Sequence, residues 1–110
     1  MTNKVSETKK SDNLPFQDYH NEKLQDKEYA KAYLEVALEE YESDGDTHAF
    51  YAALKDVVKA QGGMTEIARK TNLNRQNLYK ALSGERKPKL ETISHLIHGL
   101  GYKFSLQSIK

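Results

Sequence analysis

Apolar residues recur at steps of three and four along most of the chain. From Asp26 to Tyr41 the positions Ala30, Leu34, Ala37, Leu38 and Tyr41 keep that spacing, which predicts an amphipathic helix. Tyr29, Tyr33 and Val36 lie off this stripe, so the apolar surface is wider than one seam and has room for a second partner. Glu42-Ser43-Asp44-Gly45-Asp46 is a polar turn, after which Thr47 is expected to cap the next helix. That helix, about His48 to Gln61, gathers Phe50, Leu54, Val57 and Val58 on one face and is stopped by Gly62-Gly63.

Three shorter helices are predicted beyond it: Met64 to Lys70 or Thr71, Asn74 to Leu82 ended by Ser83-Gly84, and Leu90 to Gly99 with Ile93, Leu96, Ile97 and Leu100 inward. Tyr102-Lys103-Phe104-Ser105-Leu106 then alternates apolar and polar, the pattern of a short C-terminal strand, which would need a partner strand from elsewhere. Residues 1–13, MTNKVSETKKSDN, are almost wholly polar and read as a disordered tail, since they offer too little apolar surface to offset the entropy of ordering. The expected class is all-α, a bundle of about five helices. Its expected parts are the tail, an acidic helical segment over 14–47, and a unit over 48–110 that ends in the strand.

Charge changes the picture more than composition does. The net charge of +1 hides a polarised chain: residues 1–47 hold six lysines against twelve carboxylates, and residues 48–110 hold eleven Lys or Arg against four. Clustered cations displace counterions from phosphate, so the basic half suits nucleic acid, although solvated helix faces would give the same count. With no cysteine there is no disulfide, thiolate site or cysteine nucleophile. No apolar run approaches the length of a membrane span and no signal-peptide pattern is read, so the expectation is a cytoplasmic, nucleoid-associated protein with no membrane partner.

The chemistry concentrates in GGMTEIARKTNLNRQNLYKALSGERKPKLETISHLIHGLG. Two short helices joined by a three- or four-residue turn need a small residue where their backbones approach, and Ala68 beside Ile67 supplies it. Leu73 can plug the turn, Leu78 can face inward, and Asn72 tolerates the left-handed backbone such turns often require. Asn74 is placed to cap the second helix. The outward face is then Arg75, Gln76, Tyr79 and Lys80 with Asn77 at its shoulder, side-chain types that read guanine and adenine edges in a major groove. Tyr79 fits a packing role at the rim as well as a base contact. Arg86, Lys87 and Lys89 follow, placed to neutralise phosphate, and the helix starts at Met64 and Leu90 can offer backbone amides to the same strand.

The spacing from Ala68 through Leu73 and Leu78 to Gly84, with the closing LETISHLIHGLG, resembles the lambda-repressor-like helix-turn-helix. With the preamble YAKAYLEVALEEYESDGDTHAFYAALKDVVKAQ and the piece NRQNLYKALSGERKP, the chain over about residues 14–107 resembles the probable addiction-module antidote family, a HigA-like group of antitoxins. The resemblance implies a homodimer on double-stranded operator DNA overlapping its own promoter, and a small basic RelE-like or HigB-like ribonuclease toxin as the neutralised partner. It puts base-reading places on Arg75, Gln76 and Lys80, and phosphate-facing places on Asn74, Asn77 and Ser83. Where many lambda-like repressors begin the first helix of the pair with a phosphate-binding Gln this chain has Met64, so a backbone amide or Thr65 would have to substitute.

Other chemistry finds no constellation. His95 and His98 stand three apart on one helix without a third ligand at useful spacing, so no metal or other cofactor is expected. The acids of residues 35–46 pair with no His or Ser, which leaves no candidate for acid–base or nucleophilic catalysis and points away from an enzyme. A solitary helix-turn-helix regulator without a toxin is the alternative reading.

Overall fold

The computed structural model describes residues 15–84 and 87–109. Its six helices are α1 (Pro15–Lys23), α2 (Lys27–Asp44), α3 (Thr47–Ala60), α4 (Gly63–Thr71), α5 (Arg75–Ser83) and α6 (Leu90–Gly99). The centre is α3, which buries Phe50, Ala53, Leu54, Val57, Val58 and Ala60 and packs against α1, α2, α4 and α5. α4 packs in turn against α5 and α6. The core runs continuously from Leu24 and Leu34 through Leu54 and Val57 to Ile67, Leu78, Leu96 and Leu100. The expected inner face of α6, Ile93, Leu96, Ile97 and Leu100, is buried in full.

Each boundary has a local cause. Asp26 caps α2, its carboxylate accepting from the amides of Glu28 at 2.8 Å and Tyr29 at 3.2 Å. The helix stops at Gly45, whose φ of 75° needs no Cβ relief. Asp46, rather than Thr47, caps α3; the Asp46 carboxylate accepts from the His48 amide at 2.9 Å, and that backbone bond holds its pKa below the ordinary value. Thr47 becomes the first helical residue because the aspartate one place earlier is the better-placed acceptor.

Two further expectations fail. The helices among the described residues number six, not about five, because Pro15 opens a further helix, as proline does at a first helical position. α1 has hardly any amphipathic pattern of its own; it is held by the wholly buried Leu24 that follows it, whose carbonyl accepts from Gln61 Nε2 at 3.1 Å. The C-terminal strand is not seen either: residues 102–109 have no regular secondary structure, and no strand occurs among the described residues. Alternation alone supplies no ladder partner, and a single strand without one is not stable. The tail expected over residues 1–13 lies outside the described residues.

What holds the acidic helix to the rest is partly polar. Tyr33 on α2 donates from its hydroxyl to Asp56 Oδ2 on α3 at 2.9 Å. Burial first, then this bond and the Asp56 charge, push the Tyr33 pKa up from 10.0 to about 12. A folded pKa raised above the unfolded one gives a contribution that is whole below pH 10 and lost as pH rises through about 12. Tyr33→Phe should therefore cost about 1 kcal/mol at neutral pH, the half-buried site being partly screened. In urea titrations the gap between the two proteins should close between pH 10 and about 12; a gap that persists there would show the bond is not the cause.

A second clasp crosses the chain. Lys27 Nζ donates to the Leu100 carbonyl at 2.5 Å and sits 5.6 Å above the Tyr102 ring, while Tyr102 Oη donates to the Lys27 carbonyl at 2.8 Å. The lysine thus satisfies a carbonyl at the end of α6 and ties α2 to it.

Candidate nucleic-acid interface

The turn between α4 and α5 is fixed by two asparagines. Asn72 takes the left-handed conformation at φ 62°, and its amide donates to the Ala68 carbonyl, closing α4. The Leu73 amide donates to the same carbonyl at 3.1 Å, and the Leu73 side chain packs on the core. Asn74 then opens α5, its Oδ1 accepting from the Gln76 amide at 2.8 Å and the Asn77 amide at 3.2 Å. Because Leu78, Ala81 and Leu82 are buried, the remaining periodicity of α5 forces Arg75, Gln76, Tyr79 and Lys80 outward.

These four residues share one cleft with Met64 at the start of α4. Met64 is half-buried and packed on the core, so the place where a polar side chain could meet phosphate is apolar here, with Thr65 exposed beside it. A second groove, between α5 and the start of α6, brings Asn77 and Lys80 together with Lys87, Lys89 and Thr92. Asn74 and Ser83 are exposed at the two ends of α5, Ser83 Oγ donating to the Lys80 carbonyl at 3.0 Å. Arg86 lies outside the described residues.

Helix starts divide into two kinds. α2, α3 and α5 have side-chain caps, whereas α4 and α6 begin at Gly62 and Lys89 with no side-chain hydrogen bond to their first amides. Among these five helices, the two starts without side-chain caps are those the sequence offers as amide donors to phosphate. One cation escaped that reading: Lys55 on α3 stands 6.0 Å from the Tyr79 ring centroid and so borders the outward face of α5. No local pattern marks it, since only the crossing of α3 and α5 brings it there.

The charge divides by region. Arg69, Lys70, Arg75, Lys80, Lys87 and Lys89 are exposed on α4, α5 and the segment before α6. Glu28, Glu35, Glu39, Glu40, Glu42 and Asp44 are exposed on α2. No group of three or more metal-ligating side chains gathers among the described residues, and none of the described helices is long and apolar enough to cross a membrane.

Comparison with known proteins gives two matches. The model of a family described as probable addiction module antidote protein matches residues 16–108. Over 74 residues, 67% of this chain and 75% of the relative, the sequence is 33% identical to an uncharacterized protein of Haemophilus influenzae. No solved structure matches the chain.

Proposed function

The chain belongs to the probable addiction module antidote family, and from that premise we propose that it is the DNA-binding antitoxin of a type II toxin–antitoxin module. In this reading α4 and α5 form a lambda-repressor-like helix-turn-helix, and α5 enters the major groove of an operator overlapping the chain's own promoter. The same molecule neutralises a RelE-like or HigB-like ribonuclease toxin by direct binding.

The observation that carries the reading is the outward face of α5. Arg75 and Gln76 stand in its first turn beside Lys80, with a packed inner face and a capped start to hold the helix rigid. Arg and Lys present donors to guanine acceptors, and Gln pairs with both edges of adenine. Thr65, Asn74, Asn77, Tyr79, Ser83, Arg86, Lys87 and Lys89 are assigned to phosphate or to supporting contacts. The amides at the starts of α4 and α6 support this assignment, being left free of side-chain caps at the positive ends of their helices. A homodimer would set two such helices on half-sites about 34 Å apart, one turn of the duplex.

Base and phosphate roles separate in a titration. Arg75→Ala and Gln76→Ala should each weaken binding to the inverted repeat by about 1–3 kcal/mol per lost base contact. Lys89→Ala should weaken all sequences alike and reduce the slope of log affinity against log salt by about 1. If the two classes of variant behave identically, α5 is not the reading helix.

A further inference from the structure

Beyond the DNA-facing side, the molecule exposes an aromatic patch that nothing in the fold explains. At i, i+3, i+4 and i+7 on α2, Tyr29, Ala32, Tyr33 and Val36 form a second stripe beside the buried one. Tyr29 is 40% and Val36 54% exposed, and Tyr19 of α1 is 59% exposed. The pieces are already in contact. Lys23 Nζ lies 5.3 Å from the Tyr19 ring and 5.8 Å from the Tyr29 ring, and the His20 ring stands edge-on to Tyr33 at 4.9 Å. Tyr33 donates to Asp56 on α3, so this ring is fixed in place before anything binds.

We infer that this α1–α2 surface is where the toxin docks, and that its occupant is a protein with a basic face. The inference rests on the antitoxin reading above and places that activity on named residues. Between Lys31 and Lys55 the sequence has six carboxylates, Glu35, Glu39, Glu40, Glu42, Asp44 and Asp46, and no lysine or arginine. Their field repels phosphate and a second copy of the same face, and it accelerates encounter with a basic protein. Tyrosines with little conformational freedom around an aliphatic centre are the composition of interface anchors, and the carboxylates form the polar rim. Lys23 lies at the Tyr19 and Tyr29 end of the patch and Lys31 pairs with Glu35 at 3.8 Å, so the acidic end is the later part of α2, Glu39 to Asp44.

The docking surface and the reading helix belong to different elements, α1–α2 and α5, so one molecule can hold toxin and operator through separate faces. The test co-expresses the full chain with the product of the reading frame adjoining its own and measures complex formation by calorimetry. Val36→Arg and Tyr29→Ala should each weaken the complex about tenfold or more, and Glu39→Lys with Glu40→Lys should slow association most at low salt. All four side chains are exposed, so thermal melting and operator binding should match the unsubstituted protein. A complex that the variants hold as tightly as the unsubstituted chain would overturn the placement alone. Absence of any complex with the unsubstituted chain would overturn the antitoxin reading with it.

Discussion

Leu78→Ala is expected to cost about 2–5 kcal/mol of folding stability, the range for truncating a fully buried leucine. Leu78 has no solvent exposure and sits at the middle of the inner face of α5, one turn beyond the Asn74 cap whose carbonyl accepts its amide at 2.9 Å. Its side chain meets the core that α3 and α4 supply, so the cavity lies directly beneath the outward residues. For a chain of this size such a loss lowers the melting temperature by about 10 °C or more. If α5 is the reading helix, the same change should also weaken operator binding, although Leu78 faces the core. A melting temperature within a degree or two of the unsubstituted protein would mean that α5 is not anchored as described.

Gly99→Ala should be the next most damaging change, against the trend for helices. Alanine is the better helix former by about 1 kcal/mol, so propensity alone predicts a gain. Packing opposes it: a methyl on Gly99 would overlap Thr71 Cγ2, where α6 crosses α4. Thr71 cannot step aside, being buried and β-branched, with its hydroxyl donating to the Ile67 carbonyl at 2.8 Å. Overpacking of this kind costs about 1–3 kcal/mol, so against the propensity gain of about 1 kcal/mol the net effect is a loss of up to about 2 kcal/mol. Thr71→Ser removes the overlapping methyl and keeps the hydroxyl; in the Gly99→Ala background it should restore most of the stability. Calorimetric melting of both single variants and the pair gives the coupling directly. Additive effects would rule out the overlap as the cause.

The site was legible in the sequence where local chemistry decides structure. Asn72 was read as a left-handed residue from its tolerance of positive φ, and it has φ 62°. Asn74 was read as a cap and accepts from two amides. The third short helix was expected from Leu90 to Gly99, and α6 spans those residues. Features that depend on contacts between distant parts of the chain were not legible. α1 gains its stability from Leu24 docking under α3, not from its own weakly patterned residues. The Lys27 clasp joins residues 73 apart, and Lys55 reaches Tyr79 only through the helix crossing. Tyr41 keeps the spacing of the buried stripe yet is 38% exposed, in the last turn of α2 before Gly45 ends it. The alternation after Gly101 suggested a strand for the opposite reason: it is a local signal for a structure that no local interaction can stabilise.

Whether α5 reads an operator is answered by fluorescence anisotropy on the chain's own upstream promoter. The purified full chain is titrated into that duplex and into a scrambled duplex of the same composition, with Arg75→Ala and Lys80→Ala alongside. The chain should prefer the promoter by about a thousandfold or more at physiological salt, and both variants should lose most of that preference while still binding the scrambled duplex. Equal affinity for the two duplexes, or a preference that both variants keep, would mean that α5 is not the reading helix.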